Sequence, residues 1–112
     1  MKLNLLVLRC TNIEISKIFY EKLKCKFQKE QHGKGSVHYA TEIDGLVLEL
    51  YPLNGSNVDN NRLGFSLDMD NLDEYLVSKG IEVHSRYTFN AKTAYVVQDP
   101  DGRKIELMSL KM

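Results

Sequence analysis

Short hydrophobic runs separated by polar turns cover most of the chain. Lys2 to Arg9 carries Leu3, Leu5 and Val7 on one parity and Leu6 and Leu8 on the other, which predicts a strand covered on both faces. Thr11-Asn12-Ile13-Glu14 has the spacing of a capping box with Thr11 as N-cap. The helix behind it places Ile15, Ile18, Phe19 and Leu23 on one apolar stripe, with Tyr20 as a packing residue. Lys22 and Lys24 suit its C-terminal end, although no glycine marks the stop near Cys25. Phe27 to Gln31 predicts a short strand, His32-Gly33-Lys34-Gly35 a turn, and Val37 to Ile43 a strand. Asp44-Gly45 is a two-residue hairpin signal. In the next strand, Leu46 to Leu53, Leu46, Leu48 and Leu50 share one face and Val47, Glu49 and Tyr51 the other.

Asn54 to Asn61 is polar and glycine-bearing, the best linker in the chain. After it, Arg62 to Met69 alternates, with Leu63, Phe65, Leu67 and Met69 opposite Gly64, Ser66 and Asp68. Asp70 is placed to cap a helix with Leu72, Tyr75 and Leu76 as its apolar stripe and Gly80 as its stop. Strands are predicted over Ile81 to Tyr87, Thr93 to Gln98, and from Lys104 onward after the turn Asp99-Pro100-Asp101-Gly102.

The halves repeat. Gly45 to Leu53 matches Gly102 to Leu110 at the apolar positions, and in both an Asp-Gly pair opens a strand whose Glu follows the glycine by four residues. The predicted architecture is α+β: two βαβββ modules, 1–53 and 62–112, joined by the linker 54–61 within a single domain spanning 1–112. A length of 112 residues allows one domain with a real core.

Charge narrows the field of partners. Lys plus Arg equals Asp plus Glu at 15 each, so nothing in the balance points to nucleic acid or to an anionic membrane. No run approaches the ~20 apolar residues of a membrane helix, and the first nine residues lack the form of a signal peptide. Cys10 and Cys25 make no CxxC, which fits reduced thiols in a cytoplasmic protein.

Paired βαβββ modules, Phe19-Tyr20 in the first helix, and Asp99-Pro100-Asp101-Gly102 before Ile105-Glu106-Leu107 together resemble the vicinal oxygen chelate superfamily, which includes glyoxalases, bleomycin-resistance proteins and extradiol dioxygenases. The resemblance spans nearly the whole chain. It implies a curved, cup-like mixed sheet with helices outside, a ligand inside, and a homodimer. It also implies a divalent metal held by the first and last strands of each module. The last-strand positions match Glu49 and Glu106; the first-strand positions fall on Leu5 and Gly64, which cannot ligate. Two carboxylates without an imidazole make a poor zinc, nickel or iron site, so no metal cofactor is expected at those positions. The route back to a metal would be Glu49, Glu106 and His38 together.

By alternation the cup would be lined by Leu5, Val7, Arg9, Val47, Glu49 and Tyr51 from the first module, and by Gly64, Ser66, Asp68, Glu106 and Met108 from the second. A Glu among aliphatic residues needs a partner. For Glu49 and Glu106 that partner is a nearby cation, Arg9 or Lys104, or a cationic or hydrogen-bond-donating organic ligand. Tyr39, Tyr51, Tyr87 and Tyr95 offer aromatic surface with a polar tip, for packing or for a flat ligand. His32 is expected to be solvated in its turn, and His84 to be an ordinary strand histidine. Three functions remain in view: a small-molecule binder acting by sequestration, a divalent-metal lyase, isomerase or dioxygenase with an atypical ligand set, and an inert dimeric interaction module.

Overall fold

A computed structural model describes residues 1–110; positions 111 and 112, the end of the second predicted module, lie outside the described residues. The chain divides into two compact units, Met1–Asp59 and Asn60–Met112, and the division falls inside the stretch 54–61. Each unit is one βαβββ module.

The first contains β1 (Leu5–Cys10), α1 (Ile13–Lys22), β2 (Gln28–Glu30), β3 (His38–Ile43) and β4 (Leu46–Pro52), with a four-stranded sheet in the order β1-β4-β3-β2. β1 runs parallel to β4, and the other pairs are antiparallel. The second contains β5 (Leu63–Leu67), α2 (Leu72–Ser78), β6 (Ser85–Phe89), β7 (Lys92–Gln98) and β8 (Lys104–Ser109), in the equivalent order β5-β8-β7-β6. Each unit is thus an open mixed sheet with one helix, an α+β arrangement.

Register separates the two faces of the first sheet. Leu8, Cys10, Leu48, Leu50 and Tyr39 are buried and share a face, and α1 packs against β3 and β4. The other face carries Leu5, Val7 and Arg9 beside Val47, Glu49 and Tyr51. Leu3 and Leu5 are 65% and 51% exposed, so β1 is not covered on both faces in the way its leucines predict. In the second sheet Leu67, Val97, Ile105 and Leu107 form the buried layer together with Leu72 and Leu76 of α2.

The helix ends depart from the predicted caps. Asn12, not Thr11, is the N-cap of α1: its Oδ1 accepts from the backbone N–H of Glu14 and Ile15 at 3.0 and 3.1 Å. The Glu14 carboxylate does not reach back. It accepts instead from the Tyr39 hydroxyl on β3, at 2.7 and 2.9 Å. That tie helps orient the helix so that Ser16, Tyr20 and Leu23 face the sheet, while Ile15 and Ile18 are 53% and 54% exposed. The predicted stripe is therefore rotated by about one residue. At the C-terminus, Lys24 takes a left-handed conformation (φ 76°), and the amides of Lys24 and Cys25 return to the carbonyls of Glu21 and Tyr20. The helix closes with a Schellman motif without the glycine that usually makes it cheap.

Gly80 does supply that residue after α2: it has φ 72°, and Gly80 N–H and Ile81 N–H bond the carbonyls of Val77 and Leu76. At the other end of α2 the cap is Asn71 in a left-handed conformation with no side-chain hydrogen bond, not Asp70. The strand expected over Ile81 to Tyr87 is displaced to Ser85–Phe89. Its register is set by the tight turn at Asn90 and Ala91, both at positive φ, which pairs Phe89 with Lys92. Ile81 is instead consumed by the helix stop and buried there.

Candidate functional site

The predicted site residues of the first module do lie on one sheet face. Leu5 is abreast of Val47, Val7 of Glu49, and Arg9 of Tyr51. Across β4, Glu49 pairs with Ala40 of β3, so by alternation His38 joins this face, and β2 adds Glu30 opposite His38. Three of these side chains, Glu30, Glu49 and Tyr51, converge around the His38 imidazole.

His38 is fully buried. Its Nδ1 lies 3.1 Å from the Ser36 carbonyl. A carbonyl only accepts, so Nδ1 carries a proton there and donates it. Nε2 then points toward Glu30 Oε1 at 3.2 Å, Glu49 Oε2 at 3.5 Å and the Tyr51 hydroxyl at 3.3 Å. The Tyr51 ring stacks on the imidazole with centroids 4.1 Å apart and planes 10° off parallel, and the Arg9 guanidinium lies 5.1 Å from the Tyr51 ring centre. Burial pushes the Tyr51 hydroxyl above the ordinary phenol range, and the negative charge of Glu49 adds to this. Arg9 also donates to the Pro52 carbonyl at 3.1 Å. Glu49 thus faces the His38 imidazole at 3.5 Å, while Arg9 turns to the Pro52 carbonyl and the Tyr51 ring.

The β2–β3 turn brings a second imidazole to the same place. Gly35 N–H donates to the His32 carbonyl at 2.9 Å, and a Cβ on Gly35 would stand 3.0 Å from that oxygen. A larger residue there would have to push that carbonyl aside by a few tenths of an ångström. His32 Nε2 lies 3.7 Å from Glu30 Oε1, and the His32 and His38 rings are 5.2 Å apart. His32 is exposed in its turn as expected, and its ring also comes close to Glu30 and His38. Its involvement was hidden in the sequence, where only the grouping of Glu30, His32 and His38 around a glycine-bearing turn gave a clue.

Beside this cluster a groove of about 410 Å³ opens between β2, β3 and β4. Phe27, Ala40 and Val47 give it apolar walls, Glu30 and Glu42 give it negative charge, and Lys26 and Gln28 stand at β2.

In the second unit, register sets Gly64 beside Glu106 and Ser66 beside Met108, and Asp68 lies past the end of β5. Glu106 is held by Arg62 at 2.5 Å and by the Tyr87 hydroxyl, which donates at 2.6 Å. Arg62, rather than Lys104, is its cation. The hydrogen bond from Tyr87 keeps the Glu106 carboxyl below the usual range, with Arg62 helping, and the same bond raises the Tyr87 phenol. The metal positions that the family resemblance implies do not fit an ion: Leu5 and Gly64 offer no donor atom, and Glu106 is already engaged by an arginine and a tyrosine. His84 is exposed, and its backbone N–H donates to the Val96 carbonyl.

Sequence reasoning missed one buried group altogether. Arg103 is 1% exposed, and its Nη1 donates to Asp99 Oδ2 at 3.0 Å and lies 3.7 Å from Asp101 Oδ2. Asp99 Oδ1 accepts from the backbone N–H of Asp101 and Arg103. The signal was present in Asp99-Pro100-Asp101-Gly102-Arg103, where an aspartate heading a turn is expected to bond the chain that follows it. No cysteine is in a disulfide: Cys10 is buried, and Cys25 is partly exposed.

No protein-family model and no curated protein matches the chain. Solved structures do. A protein from the mobile metagenome of V. pseudocholerae is 27% identical over 100% of this chain and 96% of its own, with a TM-score of 0.75. An integron cassette protein from the mobile metagenome of V. cholerae is 24% identical over 99% of this chain and 96% of its own, with a TM-score of 0.76. A glyoxalase family protein from Enterococcus faecalis is 21% identical over 96% of each chain, with a TM-score of 0.72. The chain has the glyoxalase/bleomycin-resistance/dioxygenase fold, that of the vicinal oxygen chelate superfamily. No helix among the described residues is long and apolar enough to cross a membrane.

Proposed function

We propose that this protein binds a small organic ligand of positive charge and acts by sequestration, without a metal at the positions the fold family uses. The observation that carries this reading is the groove of about 410 Å³ on the first unit, whose apolar walls at Phe27, Ala40 and Val47 are flanked by Glu30 and Glu42. That volume suits a drug-sized molecule or part of one. Apolar burial would supply most of the affinity, and the carboxylates would select for charge. The unbridged thiols fit a cytoplasmic setting, and a homodimer remains part of the proposal by analogy with the fold family.

A thermal-shift screen of metal-free protein against cationic aromatics and antibiotics tests the reading. A ligand at 100 times its Kd adds about 2.7 kcal/mol of stability, a shift easily read. Val47→Trp, which fills the groove, and Glu42→Gln should each weaken the shift. The absence of stabilisation across a broad cationic panel, or an undiminished shift in Val47→Trp, would overturn the proposal.

A further inference from the structure

The cluster around His38 shares Glu30 with the groove, and it differs from the metal positions that the family resemblance implies, which lie on the first and last strands of the two modules. Glu30, His32 and His38 come from β2, the β2–β3 turn and β3 of one unit. One ligating atom from each lies within 4.8 Å of the others.

Three features say what would complete this cluster. The first is the direction of the His38 lone pair. With its Nδ1 proton given to the Ser36 carbonyl, a neutral imidazole presents a bare Nε2 to two carboxylates. The Tyr51 hydroxyl, 3.3 Å from Nε2, can donate to one of these three acceptors; the others still face one another, a repulsion that a positive ion among them would relieve. The second is the approach of His32. Its side chain is mostly exposed and water can satisfy it, yet its Nε2 stands 3.7 Å from the Glu30 oxygen that His38 also faces. One divalent ion serves both imidazoles and balances the charge of Glu30 and Glu49.

The third feature is spacing. Bonds of about 2.0–2.1 Å in a tetrahedron put neighbouring ligand atoms about 3.3 Å apart; an octahedron at about the same bond length puts them about 3.0 Å apart. The observed separations are 3.2 Å for His38 to Glu30, 3.5 Å for His38 to Glu49 and 3.7 Å for His32 to Glu30. These three lie at or somewhat beyond the tetrahedral edge, and every ligand-atom separation within Glu30, His32 and His38 is at most 4.8 Å. The second shell is already in place. The Ser36 carbonyl fixes the His38 tautomer, and Tyr51 stacked at 4.1 Å fixes the ring plane.

We infer that Glu30, His32 and His38 form a site for one divalent metal ion of the zinc class, with Glu49 facing the position they leave open. Such an ion would tie the β2–β3 turn to the sheet beside the groove. Glu30 also lines the groove, so a bound ion would cancel part of the negative charge there, and the groove screen is run on metal-free protein.

Cobalt(II) is the probe, because tetrahedral coordination gives it intense visible bands that octahedral coordination does not. Full-length protein stripped of metal is titrated with Co²⁺ and then with Zn²⁺ in competition. The expected result is one Co²⁺ per chain with tetrahedral bands, bleached by stoichiometric Zn²⁺. His38→Ala empties a buried position and risks the fold, so the deciding variants are His32→Ala and Glu30→Gln, both at accessible side chains. Each should weaken Co²⁺ binding by at least about tenfold, with circular dichroism unchanged. His84→Ala, in the other unit, should bind like the parent. Half-saturation weaker than about 100 µM, an octahedral spectrum, or equal binding by the parent and both deciding variants would overturn the assignment.

Discussion

Replacing Asp99 tests the energetics of the second unit most directly. Its carboxylate meets three donors: the buried Arg103 guanidinium at 3.0 Å and the backbone N–H of Asp101 and Arg103 at 2.9 and 3.0 Å. Asp99→Ala removes all three contacts and takes from a buried guanidinium its nearest counter-charge. Breaking a buried pair from one side costs about 3–5 kcal/mol, and each lost backbone partner adds about 1 kcal/mol. Asp99→Asn keeps an oxygen for the two backbone donors and loses only the charge, while the Asp101 carboxylate stays 3.7 Å from Arg103; about 2–3 kcal/mol is expected for a charge-assisted bond. A chain of this length has roughly 6–17 kcal/mol of stability in all, so Asp99→Ala should remove a large part of it. Near the midpoint the unfolding entropy is about 2.1 cal/mol/K per residue; at that value a loss of about 5 kcal/mol lowers Tm by roughly 20 °C. Urea denaturation and calorimetry of the parent and both variants supply the comparison. If Asp99→Ala costs less than about 1 kcal/mol, or if the Asn variant is as unstable as the Ala variant, then the buried pair and its backbone caps do not act as argued.

Three further outcomes follow from single contacts. Ser16 Oγ is buried with no hydrogen-bond partner among the described residues, so Ser16→Ala should stabilise the protein by about 1 kcal/mol through relief of desolvation and better helix propensity; a destabilised variant in urea denaturation refutes this. Glu106 has a lowered pKa, so its contribution to stability is present above the ordinary carboxylate range and is lost as pH falls through the depressed value. Tyr87→Phe removes the largest cause, and a carboxyl ¹³C titration should show the Glu106 midpoint rising toward 4.5; an unmoved midpoint contradicts the assignment. Burial, with Glu21 adding to it, pushes the Cys25 thiol from 9.0 up to about 11. Alkylation at pH 8, followed by peptide-resolved mass spectrometry, should therefore run about a hundredfold slower than for an unperturbed thiol, and its rate should still be climbing at pH 10; a plateau near pH 9 would exclude that shift.

The sequence by itself determined what depends on neighbours along the chain. The Asp44-Gly45 turn, with both residues at positive φ, joins two strands as its dipeptide demands. Gly80 ends α2 because a left-handed residue is needed there, and alternation placed Glu49 and Glu106 on the face opposite the buried leucines. The repeat of these local signals was enough for two βαβββ modules. The tertiary structure alone decided which residue meets which. Lys24 holds a left-handed cap without glycine, and Glu14 turns from its own helix end to Tyr39 across the sheet. Strand register matched Glu106 with Arg62 and Tyr87, and it gathered Glu30, Glu49 and Tyr51 around the His38 imidazole. The physical reason is one of range. Turn chemistry and side-chain parity are set by a residue and its immediate neighbours. A partner for a half-buried charge is set by distances of a few ångströms between strands that may be more than forty residues apart in the chain.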